Sequence, residues 1–231
     1  MRSTLNYPRR ALSTLALVGC QLGPGSNTVA ERRRLAQTPL ILPAPQREGK
    51  LSLEAALSRR RSIRSFTKEP LTAEQIGQLV WAAQGITDPQ GFRTAPSAGA
   101  LYPLEVYVAT AAGAFHYEPG PHRLQPHVAE DLRAALAAAA LNQSAIAEAP
   151  AVLVITAVYE RTARKYGEDR ARRYATLEAG HVAQNVLLEA VALGLGAVPV
   201  GAFDDGRVAR LLDLESREAP LYLIPVGHPR P

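Results

Sequence analysis

The chain has 231 residues, 47% of them hydrophobic and 20% charged, a length that suits one well-buried domain and is short for two. Of the formal net charge of +5, three positive charges come from Arg2, Arg9 and Arg10 in an acid-free leader, so 23 basic residues face 21 acidic ones beyond it, which argues against nucleic acid as a partner. A single cysteine, Cys20, excludes an intrachain disulfide, a thiolate metal site and a cysteine nucleophile downstream.

In chain order, residues 1–10 are basic, residues 11–19 apolar, and Cys20 follows at once. This three-part layout is that of an export signal, and the apolar run is too short to span a bilayer. Leu17-Val18-Gly19-Cys20 resembles a bacterial lipobox, which implies a lipid anchor at Cys20 and a cell-envelope location. An over-extended start codon would instead leave the protein in the cytoplasm. Arg9-Arg10 adds part of a twin-arginine export pattern, and folded export suits a protein that takes up its cofactor in the cytosol. Residues 21–50, rich in Pro, Gly and Arg and without a stable period, read as a tether, so the folded domain is expected over 51–231.

Within that domain a short helix is expected over about 51–60. Thr72 and Gln75 form a capping-box pair, and Ile76, Leu79, Val80 and Ala83 then make a helical stripe that Gly85 ends. Residues 86–100 read as a loop and 104–110 as a strand. Phe115–Tyr117 and Arg123-Leu124 form a hairpin around Pro119-Gly120-Pro121. An Ala-rich helix is expected over 129–142, a buried strand over 152–156, and the longest helix over about 170–195 with its apolar turns deep in the core. Asp204 or Asp205 caps a helix over 206–213, and 221–226 is a final strand. Strands and helices mix without regular alternation, so the fold class is α+β.

Four segments carry chemistry. Arg59-Arg60-Arg61-Ser62-Ile63-Arg64 fits a phosphate clamp, because the guanidinium fork pairs with phosphate oxygens. It also fits a solvated basic helix end favoured by the dipole. Pro96-Ser97-Ala98-Gly99 runs into the strand at Leu104 with little side chain in the way, so its backbone can approach a flat ligand; an ordinary loop has the same composition. Gly194–Phe203 opens on the Gly194/Gly196 pair, but the third glycine is misplaced for a dinucleotide fingerprint and the segment follows a helix. Lys165-Tyr166-Gly167 lies in a highly charged stretch. It reads either as a solvated turn or as a phenol set beside an ammonium that favours its ionised form. His181, inside the long helix, reads as a core histidine bonded to a backbone carbonyl. His116, His122 and His127 lie on or beside the hairpin without an evident carboxylate, so no metal site is expected.

In their order and separations the Arg60–Arg64, Pro96–Val108 and Gly194–Phe203 segments resemble the nitroreductase-like FMN flavoproteins, and within them the SagB/ThcOx-type dehydrogenases, over roughly residues 51–229. The resemblance implies a central, mostly antiparallel sheet flanked by helices, in an intertwined homodimer. It implies that Arg60, Arg61, Ser62 and Arg64 hold the FMN phosphate. By the same resemblance Pro96, Ser97, Ala98 and Gly99 meet the isoalloxazine ring from the partner subunit, and Pro199, Val200, Gly201 and Ala202 set backbone amides against flavin N5 and O4. Such donors suit the negative charge of a reduced flavin. Lys165 and Tyr166 correspond to the pair that supports azoline-to-azole oxidation on a peptide. The family's C-terminal basic group is reduced here to Arg230. The implied function is hydride transfer through flavin N5 with a small-molecule or peptide substrate. The alternatives are an NAD(P)H-dependent nitro or quinone reductase and a non-catalytic flavin-binding lipoprotein. Membrane contact is expected only through Cys20.

Overall fold

A computed structural model describes residues 38–230; the leader, Cys20 and most of the expected tether fall outside the described residues. A seven-stranded sheet runs through the described residues: β1 (Leu40–Ile41), β2 (Leu104–Thr110), β3 (Gly113–Glu118), β4 (Arg123–Val128), β5 (Ala151–Val158), β6 (Gly196–Ala197) and β7 (Glu218–Gly227). Its order is β1-β4-β3-β2-β5-β7-β6, with every neighbouring pair antiparallel. One further contact is parallel, an isolated bridge between Ser62 and Ala197 beyond β6. The strands and helices make an α+β fold.

All eight residues of β5 are buried because helices cover both faces of the sheet. Side-chain alternation divides its core in two. Leu153, Ile155 and Ala157 join the layer formed by α2 (Ala73–Gln84) and α6 (Glu168–Ala192). Val152 and Val154 point to the opposite layer, which is built from α3 (Arg133–Ala139), α4 (Ser144–Glu148) and α7 (Asp205–Leu211). The remaining helices are α1 (Leu53–Arg59), capped by the Ser52 hydroxyl, and α5 (Glu160–Tyr166). The Thr72–Gln75 capping box forms in both directions, and Asp204 caps α7 by accepting from Arg207 N.

Four expectations change. The tether does not run through to residue 50, because Leu40 and Ile41 pair with Leu124 and Arg123, and Leu42 is buried in the core. The helix expected over 129–142 is shorter, Arg133–Ala139, and ends before Leu141 and Asn142 take φ of 57° and 58°; α4 follows beyond the expected range. The long helix starts at Glu168, with α5 before it and Gly167 at φ 79° between them. Its middle is not all core: Leu177 is 55% exposed, and Gly180 and His181 also face solvent. His181 is therefore not a core histidine.

Candidate active site

The Arg60–Arg64 and Gly194–Phe203 segments meet in space. Ile63 N donates to Ala197 O at 3.1 Å, next to the Ser62–Ala197 bridge. The approach is tight enough that a Cβ on Gly196 would lie 2.6 Å from Ile63 Cβ. Arg61 and Arg64 are exposed and Arg60 half-buried. Arg61 Nη1 donates to Ser58 O and Arg60 O, and Arg64 Nη1 reaches Ser62 O at 3.5 Å. Among the described residues no ion pair involves Arg60, Arg61 or Arg64, so these cations have no protein carboxylate to neutralise them. Downstream, Pro199 is half-buried, and Val200 is buried and exchanges hydrogen bonds with Leu223. Gly201 and Ala202 are exposed, and among the described residues their N–H groups have no protein acceptor. Uncompensated guanidiniums followed by free, exposed amides form a donor set suited to a phosphate-bearing planar cofactor. Arg230 is spent elsewhere: its Nη2 donates to Phe66 O at 2.9 Å and lies 3.6 Å from Glu148.

Of the Pro96, Ser97, Ala98 and Gly99 loop, it is Gly99 that meets Lys165 and Tyr166 instead. A Cβ placed on Gly99 would stand 2.9 Å from Tyr166 Oη and 3.0 Å from Lys165 Nζ, so both polar ends converge on the bare face of this glycine. Lys165 is exposed on the last turn of α5, so the pair lies on a helix and not on a free turn. Tyr166 packs edge-on against Tyr174, with ring centroids 5.2 Å apart. The loop backbone is strained here: Gly99, Ala100 and Tyr102 have φ of 64°, 54° and 46°. Such a cluster of left-handed residues persists only where its surroundings over-determine it.

Those surroundings were not assigned from sequence. Tyr102 N donates to Ser97 Oγ at 2.9 Å, and Arg93 N donates to the Tyr102 hydroxyl. The Arg93 guanidinium lies 4.5 Å over the Tyr102 ring and donates to Gln84 Oε1 at 2.7 Å. Gln84 Nε2 reaches the carboxyl of Glu178, which is 3% exposed. Burial pushes the Glu178 carboxyl above its ordinary value, against the lowering effects of Ser97, Gln84 and Arg93. On the other flank Arg161, on α5, donates to Tyr102 O and to Glu105, whose other oxygen lies 2.8 Å from His116 Nε2. Burial pushes Glu105 upward, but His116 and Arg161 outweigh it and hold the carboxyl below the ordinary range. The expectation that His116 lacks a carboxylate is thus corrected: strand pairing in β2 and β3 brings Glu105 to it. Asn185 Nδ2 donates to Thr94 O, fixing the start of the loop to α6. The sequence signal for Glu178 was a lone acid on the buried face of a helix.

A groove of about 570 Å³ is lined by Trp81, Gln78, Asn185 and Glu189 among others; it takes in Thr94 and Asn185 but not Gly99, Lys165, Tyr166 or the arginines of the Arg60–Arg64 segment. Trp81 Nε1 is buried and unpartnered, but it faces Gly85, whose Cβ would stand 2.7 Å away. The groove offers no comparable convergence of reactive groups. Among the described residues no group of three or more His, Cys, Asp or Glu is arranged to hold a metal ion.

The nitroreductase family profile matches residues 57–228, and the chain belongs to that family. It is therefore an oxidoreductase of the nitroreductase-like flavoprotein class. A Methanocaldococcus jannaschii protein that carries a nitroreductase name is 48% identical over 77% of this chain and 91% of its own length. The microcin B17-processing protein McbC of Escherichia coli is 29% identical over 68% of this chain and 62% of its own. Among solved structures, a nitroreductase-named protein of Ralstonia eutropha superposes with a TM-score of 0.78 at 31% identity, covering 85% of this chain and 91% of that one. The NADPH:FMN oxidoreductase of Vibrio harveyi superposes at 0.60 with 26% identity, over 78% and 69%.

Proposed function

We propose that the protein is an FMN-dependent oxidoreductase of the SagB/ThcOx type, oxidising a peptide-borne azoline or a close heterocyclic analogue as a homodimer. The observation that carries this reading is the convergence of Lys165 Nζ and Tyr166 Oη on Gly99, in a loop whose backbone is bare enough to face a planar ring. When bound, FMN supplies hydride acceptance at N5. The chain's own tasks are then separable. Arg60, Arg61, Ser62 and Arg64 hold the phosphate, and the Gly201 and Ala202 amides donate to the ring edge. Tyr166 takes up the substrate proton, with Lys165 beside it on the same helix turn. Its similarity to McbC, named as a processing protein for microcin B17, supports a peptide substrate. A leader ending at Cys20 would put the enzyme in the cell envelope, where NAD(P)H is scarce and a substrate that itself supplies the electrons fits better.

A second reading is an NAD(P)H-dependent nitro or quinone reductase. It is favoured by the 48% identity to a protein with a nitroreductase name and by the 28% identity to the NADH dehydrogenase of Thermus thermophilus. The test is the visible spectrum of the purified protein with mass identification of the released chromophore, followed by anaerobic mixing with NADH, NADPH and a thiazoline peptide. Bleaching by the peptide supports the first reading, and bleaching by a nicotinamide alone supports the second. A bound flavin that nothing reduces leaves a non-catalytic flavin binder. Colourless protein that refuses added FMN removes all three.

A further inference from the structure

Resting on the flavin reading above, we propose that Arg161 is the positioning residue for Lys165 and Tyr166, fastening α5 to the Gly99 loop so that both polar ends are held over it. Neither end holds itself there. Among the described residues, Lys165 Nζ and Tyr166 Oη make no hydrogen bond or ion pair. The Lys165 ammonium lies 5.4 Å from the centre of the Tyr166 ring, and that ring packs on Tyr174 of α6, so neither contact is directed at the loop. An exposed lysine stem left to itself samples many rotamers. Its approach to Gly99 therefore has to be set by the placement of the helix that carries it.

Arg161 supplies that placement. It lies one helical turn before Lys165, on the same face of α5. Its Nη1 donates to Tyr102 O at 3.1 Å and its Nη2 to Glu105 Oε1, so one rigid fork ties α5 to the loop and to β2 at once. Both acceptors are themselves fixed. Tyr102, at φ 46°, donates its N–H to Ser97 Oγ, accepts from Arg93 N at its hydroxyl, and has the Arg93 guanidinium over its ring. Glu105 is paired in register with Thr156 of β5, and its second oxygen lies 2.8 Å from His116 Nε2 on β3. Restraint thus passes from the sheet through Glu105 and Tyr102 to Arg161, and from Arg161 to the next turn of α5. The Glu105 side chain is only 16% exposed, so water cannot fully replace a lost guanidinium. The neighbouring cations make no such link: Arg164 is exposed and unbonded among the described residues, and Arg172 lies over the Tyr159 ring.

Arg161→Gln in the full chain, measured beside Arg164→Gln as the control, tests this. Hydrogen exchange at the α5 amides should be about 10-fold faster in Arg161→Gln than in the control, and equal rates overturn the link. With the donor that bleaches the wild-type flavin, kcat should fall roughly 10- to 100-fold, with KM within about 2-fold and flavin content unchanged, because the pair is displaced and the cofactor cradle is not. A wild-type kcat, or a rise in KM alone, overturns the positioning role. In a Lys165→Ala, Tyr166→Phe background, Arg161→Gln should add no more than about a 2-fold further loss, since both changes disable the same step. Losses that multiply show that Arg161 acts by another route, and the proposal fails. If Arg161→Gln does not fold, Glu105→Gln weakens the same link from β2 without a change in side-chain size and is read in the same ways. A wild-type protein without flavin, or a Lys165→Ala, Tyr166→Phe protein that turns over at the wild-type rate, would instead strike the functional reading beneath. The exchange rates need neither flavin nor substrate, so they decide the link by themselves.

Discussion

Replacing Gly99 by alanine separates what the loop does for stability from what it does for chemistry. Gly99 sits at φ 64°, where an alanine costs roughly 1–2 kcal/mol. A shift of about 2–4 °C per kcal/mol, typical of a domain of this size, puts the fall in melting temperature at roughly 2–8 °C. The new Cβ would also stand 2.9 Å from Tyr166 Oη and 3.0 Å from Lys165 Nζ, each closer than ordinary van der Waals contact. Both are the far ends of flexible side chains, so they yield at little cost in stability, but they yield away from the site. A misplacement approaching 1 Å costs on the order of 100-fold in rate, so turnover should fall about 10- to 100-fold while flavin content is unchanged. Scanning calorimetry and steady-state turnover with the donor that bleaches the wild-type flavin measure the two effects. Gly91→Ala is the control. It carries the same kind of strain at φ 85° with nothing within 4 Å, and it should lose stability without losing turnover. If Gly99→Ala loses stability but keeps full turnover, the convergence of Lys165 and Tyr166 on this glycine has no part in the chemistry.

Glu178→Gln should stabilise the protein relative to wild type increasingly as pH rises. The native carboxyl has a raised pKa, so folding binds a proton that is lost above it, whereas below the unfolded-state value both forms are protonated and the substitution gains nothing; melting curves from pH 4 to 8 check the sign. Gly85→Ala should be far more damaging than an ordinary loop substitution, because its Cβ would lie 2.1 Å from Trp81 Cδ1; a loss of several kcal/mol, read by urea unfolding, is expected, and a loss below about 1 kcal/mol would show that the ring moves freely. Removing Arg60 and Arg64 together should abolish flavin retention on gel filtration and leave the melting temperature of the apoprotein within about 1–2 °C, since neither side chain has an ion-pair partner among the described residues.

What the sequence disclosed and what it hid divide along physical lines. Signals that act within a few residues were readable: the Thr72 capping box, the Asp204 cap and the apolar run of β5 all formed where their local chemistry required. The arginine cluster and the bare-backbone segments could be picked out as candidates, but composition did not tell them from a solvated helix end or an ordinary loop. Contacts between distant segments were not. Nothing in a proline-rich stretch says that Leu40 and Ile41 will pair with a hairpin strand, and nothing near Lys165 points to Gly99. The Glu178–Gln84–Arg93 network needed α2, the loop and α6 in one place before its members had meaning. The error over His181 has a different origin. Helical periodicity marks an apolar face but does not say whether the same chain covers it, and Leu177 and His181 lie on a face that it does not.

The two outermost strands bear on how this protein can associate without aggregating. β1 and β6 are each only two residues long, so among the described residues neither edge strand offers a long row of unpaired backbone groups of its own. A longer edge would template a strand from any neighbouring chain, native or unfolded. Here β4 runs on past β1 and β7 past β6, so the outer backbone of these two longer strands decides how open that route stays.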